Sequence, residues 1–178
     1  MSRQALRCIL PDLLRHELGA EERNMRRIPA IALLAATFIG GVAMAADPVV
    51  GTWKLDVAKS KFSPGPALKS ATRVYTESAD GVALDGKSVG AGGKEASMHT
   101  AYKADGKSYP VTGNSDADSL TAKSVNARTW DFTLTKAGKV VGTVHRVVSA
   151  DGKTLTVKNK GTHNDGVAYD DSLVFTRQ

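Results

Sequence analysis

Residues 127–149 read ARTWDFTLTKAGKVVGTVHRVVS, and their pattern decides the fold. In Trp130-x-Phe132-x-Leu134 every second residue is large and apolar, while Asp131, Thr133 and Thr135 occupy the other parity. Successive side chains of a strand point to opposite faces, so this alternation predicts a half-buried strand over 127–135. Ala137-Gly138 interrupts it and a second β-rich run, 139–149, follows at once. Two strands joined this tightly run antiparallel.

Outward from this stretch the same grammar recurs. Leu155-x-Val157 and Leu173-x-Phe175 repeat the alternation. Asp80-Gly81, Asp85-Gly86, Asp105-Gly106, Asp151-Gly152 and Asp165-Gly166, together with Gly92-Gly93, punctuate the chain. Asp-Gly suits the positive φ of tight hairpins, so most of these pairs are expected to reverse the chain. The runs between them predict strands at 50–56, 70–78, 82–89, 94–103, 107–112, 119–125, 127–135, 139–149, 153–162 and 167–177. Ser63-Pro64-Gly65-Pro66 falls in a loop over 59–69, because proline is excluded from a sheet interior. No segment after Asp47 has a helical period. The expectation is an all-β protein, an up-and-down antiparallel β-barrel of 8–10 strands whose closure removes exposed edges.

A different signal precedes the strands. Met25-Arg26-Arg27, the apolar run from Ile28, and the small residues ending Ala43-Met44-Ala45 have the form of a signal peptide. Cleavage is expected after Ala45, with Ala46 next, rather than retention of Ile28–Ala46 as a membrane anchor. The domains are therefore read as a mis-annotated N-terminal extension over 1–24 with translation from Met25, a signal peptide over 25–45, and a barrel over 46–178. The protein is expected to be periplasmic or secreted, with no stable membrane insertion after cleavage, and monomeric.

The formal charge of +6 is a poor guide to partners. Loss of residues 1–45 removes six Arg and four acids, leaving 18 basic and 14 acidic side chains and a charge of +4. The lysines are dispersed among acids and turns, which argues for a solvated surface and against nucleic acid. The only cysteine, Cys8, also precedes the cut, so disulfides, thiol catalysis and cysteine metal sites are excluded from the processed chain.

Gly51-x-Trp53 on the first strand, the meander, and Arg177 at the end of the last strand resemble the calycin barrels: lipocalins, fatty-acid-binding proteins and avidins. The resemblance implies that Trp53 plugs one end and that Arg177 lies across it as a cation–π partner. Residues 49–178 also resemble small exported bacterial proteins of unknown function. The motifs are Gly-Thr-Trp-Lys-Leu (51–55), Lys-Ser-Lys-Phe-Ser-Pro-Gly-Pro (59–66), Tyr-Pro-Val-Thr-Gly (109–113) and Arg-Val-Val-Ser-Ala-Asp-Gly-Lys-Thr-Leu-Thr (146–156). The chain departs from fatty-acid-binding proteins in two places. Residues 58–69 are too short and proline-rich for a two-helix lid, and Leu173-x-Phe175 stands where those proteins carry an Arg-x-Tyr carboxylate clamp.

The functional expectation is an exported barrel binding a small apolar or amphiphilic ligand in its interior, without a cofactor. Tyr102, Trp130, Phe132 and either His145 or Arg146 are the candidate lining residues; His145 and Arg146 are adjacent, so one faces in and the other out. Tyr75 and Tyr109 could join them or fill a tight core. The alternative is a solid-cored envelope protein acting through its surface, as an inhibitor or stress-related module; an interior under roughly 300 Å³ would favour it. His99, His145 and His163 fall on separate strands, which speaks against a metal site. Asp116-x-Asp118 and Asp170-Asp171 lack the ligand density of a calcium loop. No Gly-x-Ser-x-Gly elbow, phosphate loop or paired-carboxylate motif is present, so an enzyme is not expected.

Overall fold

A computed structural model describes residues 46–79 and 81–178. The extension over 1–24 and the signal peptide over 25–45 lie outside the described residues, as does Asp80.

Ten strands follow one another: β1 (Gly51–Leu55), β2 (Ser70–Ser78), β3 (Gly81–Val89), β4 (Glu95–Tyr102), β5 (Ser108–Thr112), β6 (Ser119–Asn126), β7 (Thr129–Lys136), β8 (Lys139–Val148), β9 (Thr154–Thr162) and β10 (Ala168–Arg177). Each pairs antiparallel with the next, and β1 pairs with β10, which closes an up-and-down barrel. The expected strands and topology are thus present.

The turns show why the chain meanders. Gly106, Gly152 and Gly166 take φ of 74, 69 and 86°. The aspartate before each glycine accepts a hydrogen bond from the backbone N–H two residues on, at 3.0 Å in all three cases. Glycine supplies the left-handed conformation and aspartate pins the turn. Ala137 and Gly138 both have positive φ, 49 and 77°, as the tightest hairpin turn requires. Asp85-Gly86 is a turn-like dipeptide that does not turn. It lies within β3, opposite Val74 and Arg73 of β2. The Met98 side chain covers Gly86 so closely that a Cβ there would come within 2.8 Å of its Cγ, so packing explains this glycine.

Closure at β1 is only partly regular. Trp53, Lys54 and Leu55 face Arg177, Thr176 and Phe175. Beyond Leu55 the chain stays against β10: Asp56 N–H donates to Val174 O, Lys61 and Ser172 exchange two bonds, and Asp170 N–H donates to Ser63 O. Ser60 Oγ accepts the Val174 N–H at 3.0 Å. The segment before the prolines thus seals the upper edge of β10, which would otherwise offer unpaired backbone groups.

Alternation sorts side chains between wall and core. Phe132 is buried and Asp131 exposed; Leu155, Val157, Leu173 and Phe175 are buried beside exposed Lys158 and Asp170. Trp53, Tyr75, Tyr102, Phe175, Leu155, Val49 and Val157 are the largest of the fully buried apolar side chains in this core. Each fully buried aliphatic or Phe side chain contributes about 1.5–3 kcal/mol relative to exposure.

Candidate functional site: a two-chambered barrel interior

The ends of the barrel differ. At the closed end Trp53 is fully buried and donates from Nε1 to Val49 O at 2.7 Å. The Arg177 guanidinium lies over its ring, 4.2 Å from the centroid. It also donates to three backbone carbonyls: Gly152 and Val50 at 2.6 Å each, and Pro48. Gly51 has φ 133°, and a Cβ there would meet Arg177 Nη1 at 2.6 Å. The glycine of Gly-Thr-Trp therefore makes room for the arginine that covers the tryptophan.

Above this plug sits Arg146 on β8, only 2 % exposed. Its Nη1 donates to the Tyr102 hydroxyl at 2.6 Å, and Nη2 lies 3.9 Å from Asp47 Oδ2. The rings of Tyr75, Trp130 and Phe132 surround the guanidinium at 5.4, 5.1 and 5.3 Å, distances at which ring quadrupoles attract a cation. Arg146 Nε makes no hydrogen bond. Burial pushes the Tyr102 phenol well above the ordinary tyrosine range, because a phenolate would lose its hydration there; the Arg146 charge only partly offsets this.

The interior above Arg146 is hollow. A deep chamber of about 220 Å³ has mostly apolar walls, among them Leu84, Met98, Val111, Leu120, Phe132 and Val144, with Tyr102 and Arg146 also in its lining. An outer vestibule of about 570 Å³ adjoins it, lined by the 62–66 loop, Leu68, Ser97, Asp165 and Phe175. Arg73, Met98, Asn114, Asn159, His163, Tyr169 and Asp171 line both.

A hydrogen-bonded strap joins the β5–β6 and β9–β10 loops at the vestibule. His163 Nδ1 lies 2.8 Å from Asp116 Oδ2, Asn164 N–H donates to Asp116 Oδ1 at 3.0 Å, and Asn164 Nδ2 donates to Ser115 O. The His163 ring packs against Tyr169, centroids 4.5 Å apart. Tyr169 lies against the wall because Gly161 and Gly142 are its neighbours on β9 and β8. A Cβ at either would come within 2.7 or 2.8 Å of the Tyr169 hydroxyl. Burial, then the nearby Asp116 and Asp171 carboxylates, raise the Tyr169 phenol.

Of the residues expected from sequence, Tyr102, Phe132 and Arg146 line the deep chamber. Trp130 packs behind them, 5.9 Å from Tyr102 and stacked on Phe132 at 6.2 Å. His145 points outward, exposed, with Nδ1 2.6 Å from Asp131 Oδ1; of the adjacent pair, Arg146 is therefore the inward one. His99 pairs in the same way with Asp85 at 2.7 Å on the outer wall. Trp53 and Arg177 meet as the resemblance implied. Sequence reasoning missed Arg73, Asn159, Tyr169 and Asp171. Arg73 shares the parity of Ala71 and Tyr75 in β2, and that signal could have found it. Among the described residues no group of three or more His, Cys, Asp or Glu is arranged to hold a metal ion, and no helix is long and apolar enough to cross a membrane.

The chain matches no protein-family model and no curated protein. Fold and cavity together define an antiparallel β-barrel with an accessible, two-chambered interior.

Proposed function

We propose that this is an exported binding protein that holds a small apolar or amphiphilic molecule inside the barrel, a calycin-like carrier of the periplasm or the extracellular space. The observation that carries the reading is the hollow interior: a mostly apolar chamber of about 220 Å³ adjoining a vestibule of about 570 Å³ with mixed polar and apolar walls. Ligand pockets run from about 300 to 1,000 Å³ with apolar walls and a few placed polar groups. The mechanism is burial, at ~25 cal/mol per Å² of apolar surface removed from water. The polar outer walls of β7, β9 and β10, with Asp131, Lys158, Lys160 and Asp170 exposed, suit an aqueous compartment rather than the apolar girdle of a membrane barrel.

One number favours the alternative, a protein acting through its surface as an inhibitor or stress-related module. The deep chamber taken alone, about 220 Å³, lies under the small end of ligand pockets. Native mass spectrometry of protein purified from the envelope separates the two. A co-purifying small molecule supports the carrier. A bare mass, together with no binding of the neutral dye N-phenyl-1-naphthylamine, overturns it.

A further inference from the structure

Three arginines reach the barrel interior among the described residues, and their situations differ. Arg177 is bonded to three carbonyls, and Arg146 is sealed among rings with Tyr102 and Asp47 beside it. Arg73 is half-buried on β2 and lines both chambers. Its guanidinium lies 4.9 Å from the Phe175 ring centroid. Its one hydrogen bond, from Nη1 to the Tyr75 hydroxyl, is long at 3.4 Å. Among the described residues no carboxylate is within ion-pairing distance of it. A guanidinium carries five donors in a fork that matches an acid group, and most of this fork faces the cavity without a protein acceptor.

We propose that Arg73 is an anion seat at the junction of the chambers, so that the ligand is a monoanionic amphiphile lying with its apolar body in the deep chamber and its acid group on Arg73. The inference rests on the carrier reading above and deepens it. Polarity sets the orientation: Leu84, Val111, Leu120 and Phe132 line the deep chamber alone, whereas Asn114 and Asn159 line both chambers, as Arg73 does. Arg146 is the poorer seat although its Nε is unpartnered: Nη1 is bonded to Tyr102, Asp47 lies 3.9 Å from Nη2, and the side chain is only 2 % exposed. Asp165 lines the vestibule, Asp116 the deep chamber and Asp171 both, and these carboxylates oppose a second acid group beyond the one that Arg73 neutralises.

Two dyes that differ by a single sulfonate test this. 8-Anilinonaphthalene-1-sulfonate is the anionic form and N-phenyl-1-naphthylamine the neutral one. The wild-type barrel is expected to bind the sulfonate about tenfold more tightly, the scale of one charge-assisted hydrogen-bonded pair. In Arg73→Gln that preference should collapse toward one, and Arg73→Lys, which keeps the charge without the fork, should restore part of it. Thermal unfolding of each variant confirms that the barrel is intact. An undiminished preference in Arg73→Gln overturns the seat while leaving the carrier standing. Failure of both dyes to bind wild-type protein overturns the carrier reading and the seat with it.

Discussion

Trp53 and Arg177 are register partners across the β1–β10 seam, and the guanidinium lies 4.2 Å from the indole-ring centroid while bonding the carbonyls of Pro48, Val50 and Gly152. One side chain therefore ties Pro48 and Val50 near the start of the barrel to Gly152 in the β8–β9 turn. Arg177→Ala would strand those carbonyls and uncover the ring, a loss of about 2–4 kcal/mol. Arg177→Lys should recover little, since a single ammonium cannot reproduce the planar fork. Urea unfolding followed by tryptophan fluorescence measures this; a loss under about 1 kcal/mol would mean that the seam holds without the arginine.

Arg146 and Tyr102 form a second buried unit, with the opposite logic. The hydroxyl is the hydrogen-bond acceptor for a cation packed among three rings, with the Asp47 carboxylate 3.9 Å away, so Tyr102→Phe should cost about 1.5–3 kcal/mol. Arg146→Met removes the charge as well, and the double variant should be less destabilised than the sum of the singles by about 0.5–3 kcal/mol. Additive losses would show that the bond is energetically idle. The raised Tyr102 phenol adds a pH signature. Folding favours the neutral form, so its contribution is complete below the ordinary tyrosine value of about 10 and is lost as pH rises past it. Tyr102→Phe should flatten the alkaline fall in stability; an unchanged slope would place its cause elsewhere.

Much of this fold was legible in sequence because the barrel is built from local rules. Parity separates Phe132 from Asp131 and Phe175 from Val174, and Asp-Gly at 105–106, 151–152 and 165–166 makes turns whose aspartates bond their own backbone. Asp85-Gly86 misled because its glycine answers to Met98 on the next strand, a contact between elements that no dipeptide encodes. The site was legible to the same depth. Parity required one of His145 and Arg146 to face inward but could not say which. Nor could it show that Trp130 packs behind the chamber wall, since that depends on side-chain volumes summed around the ring. Arg73 was hidden by the ordinary look of an arginine amid threonines and serines.

Tyr169 supplies a prediction about the width of the vestibule. It lies flat only because Gly142 and Gly161, a register pair, leave the wall bare beneath it. Gly161→Ala would bring a Cβ within 2.7 Å of the Tyr169 hydroxyl and 2.4 Å of Val141 O. The hydroxyl can swing away, but the carbonyl is backbone. The substitution should therefore cost about 1–3 kcal/mol, as overpacking does, and adding Tyr169→Phe should not restore it. Full rescue by Tyr169→Phe would show instead that the tyrosine alone demands the glycine. Thermal denaturation of the two singles and the double decides.

The strap between Asp116 and the 163–164 turn should affect local opening more than global stability. His163 and Asn164 are exposed and Asp116 half-buried, and a near-surface contact of the His163–Asp116 kind contributes about 0–1 kcal/mol. Asp116→Ala should therefore lower the unfolding free energy measured in urea by no more than that. Yet Asp116 Oδ1 accepts the Asn164 N–H, and Oδ2 holds the ring that packs on Tyr169. Without the carboxylate the β9–β10 turn loses its tie to the β5–β6 loop while the ladders of β9 and β10 remain intact. Amide hydrogen exchange should accordingly quicken at Asn164 and leave Val157 and Phe175 in the core unchanged, the pattern of sub-global opening. Faster exchange spread evenly over turn and core would mean that the strap stabilises the whole barrel, and unchanged exchange at Asn164 would mean that it holds nothing shut.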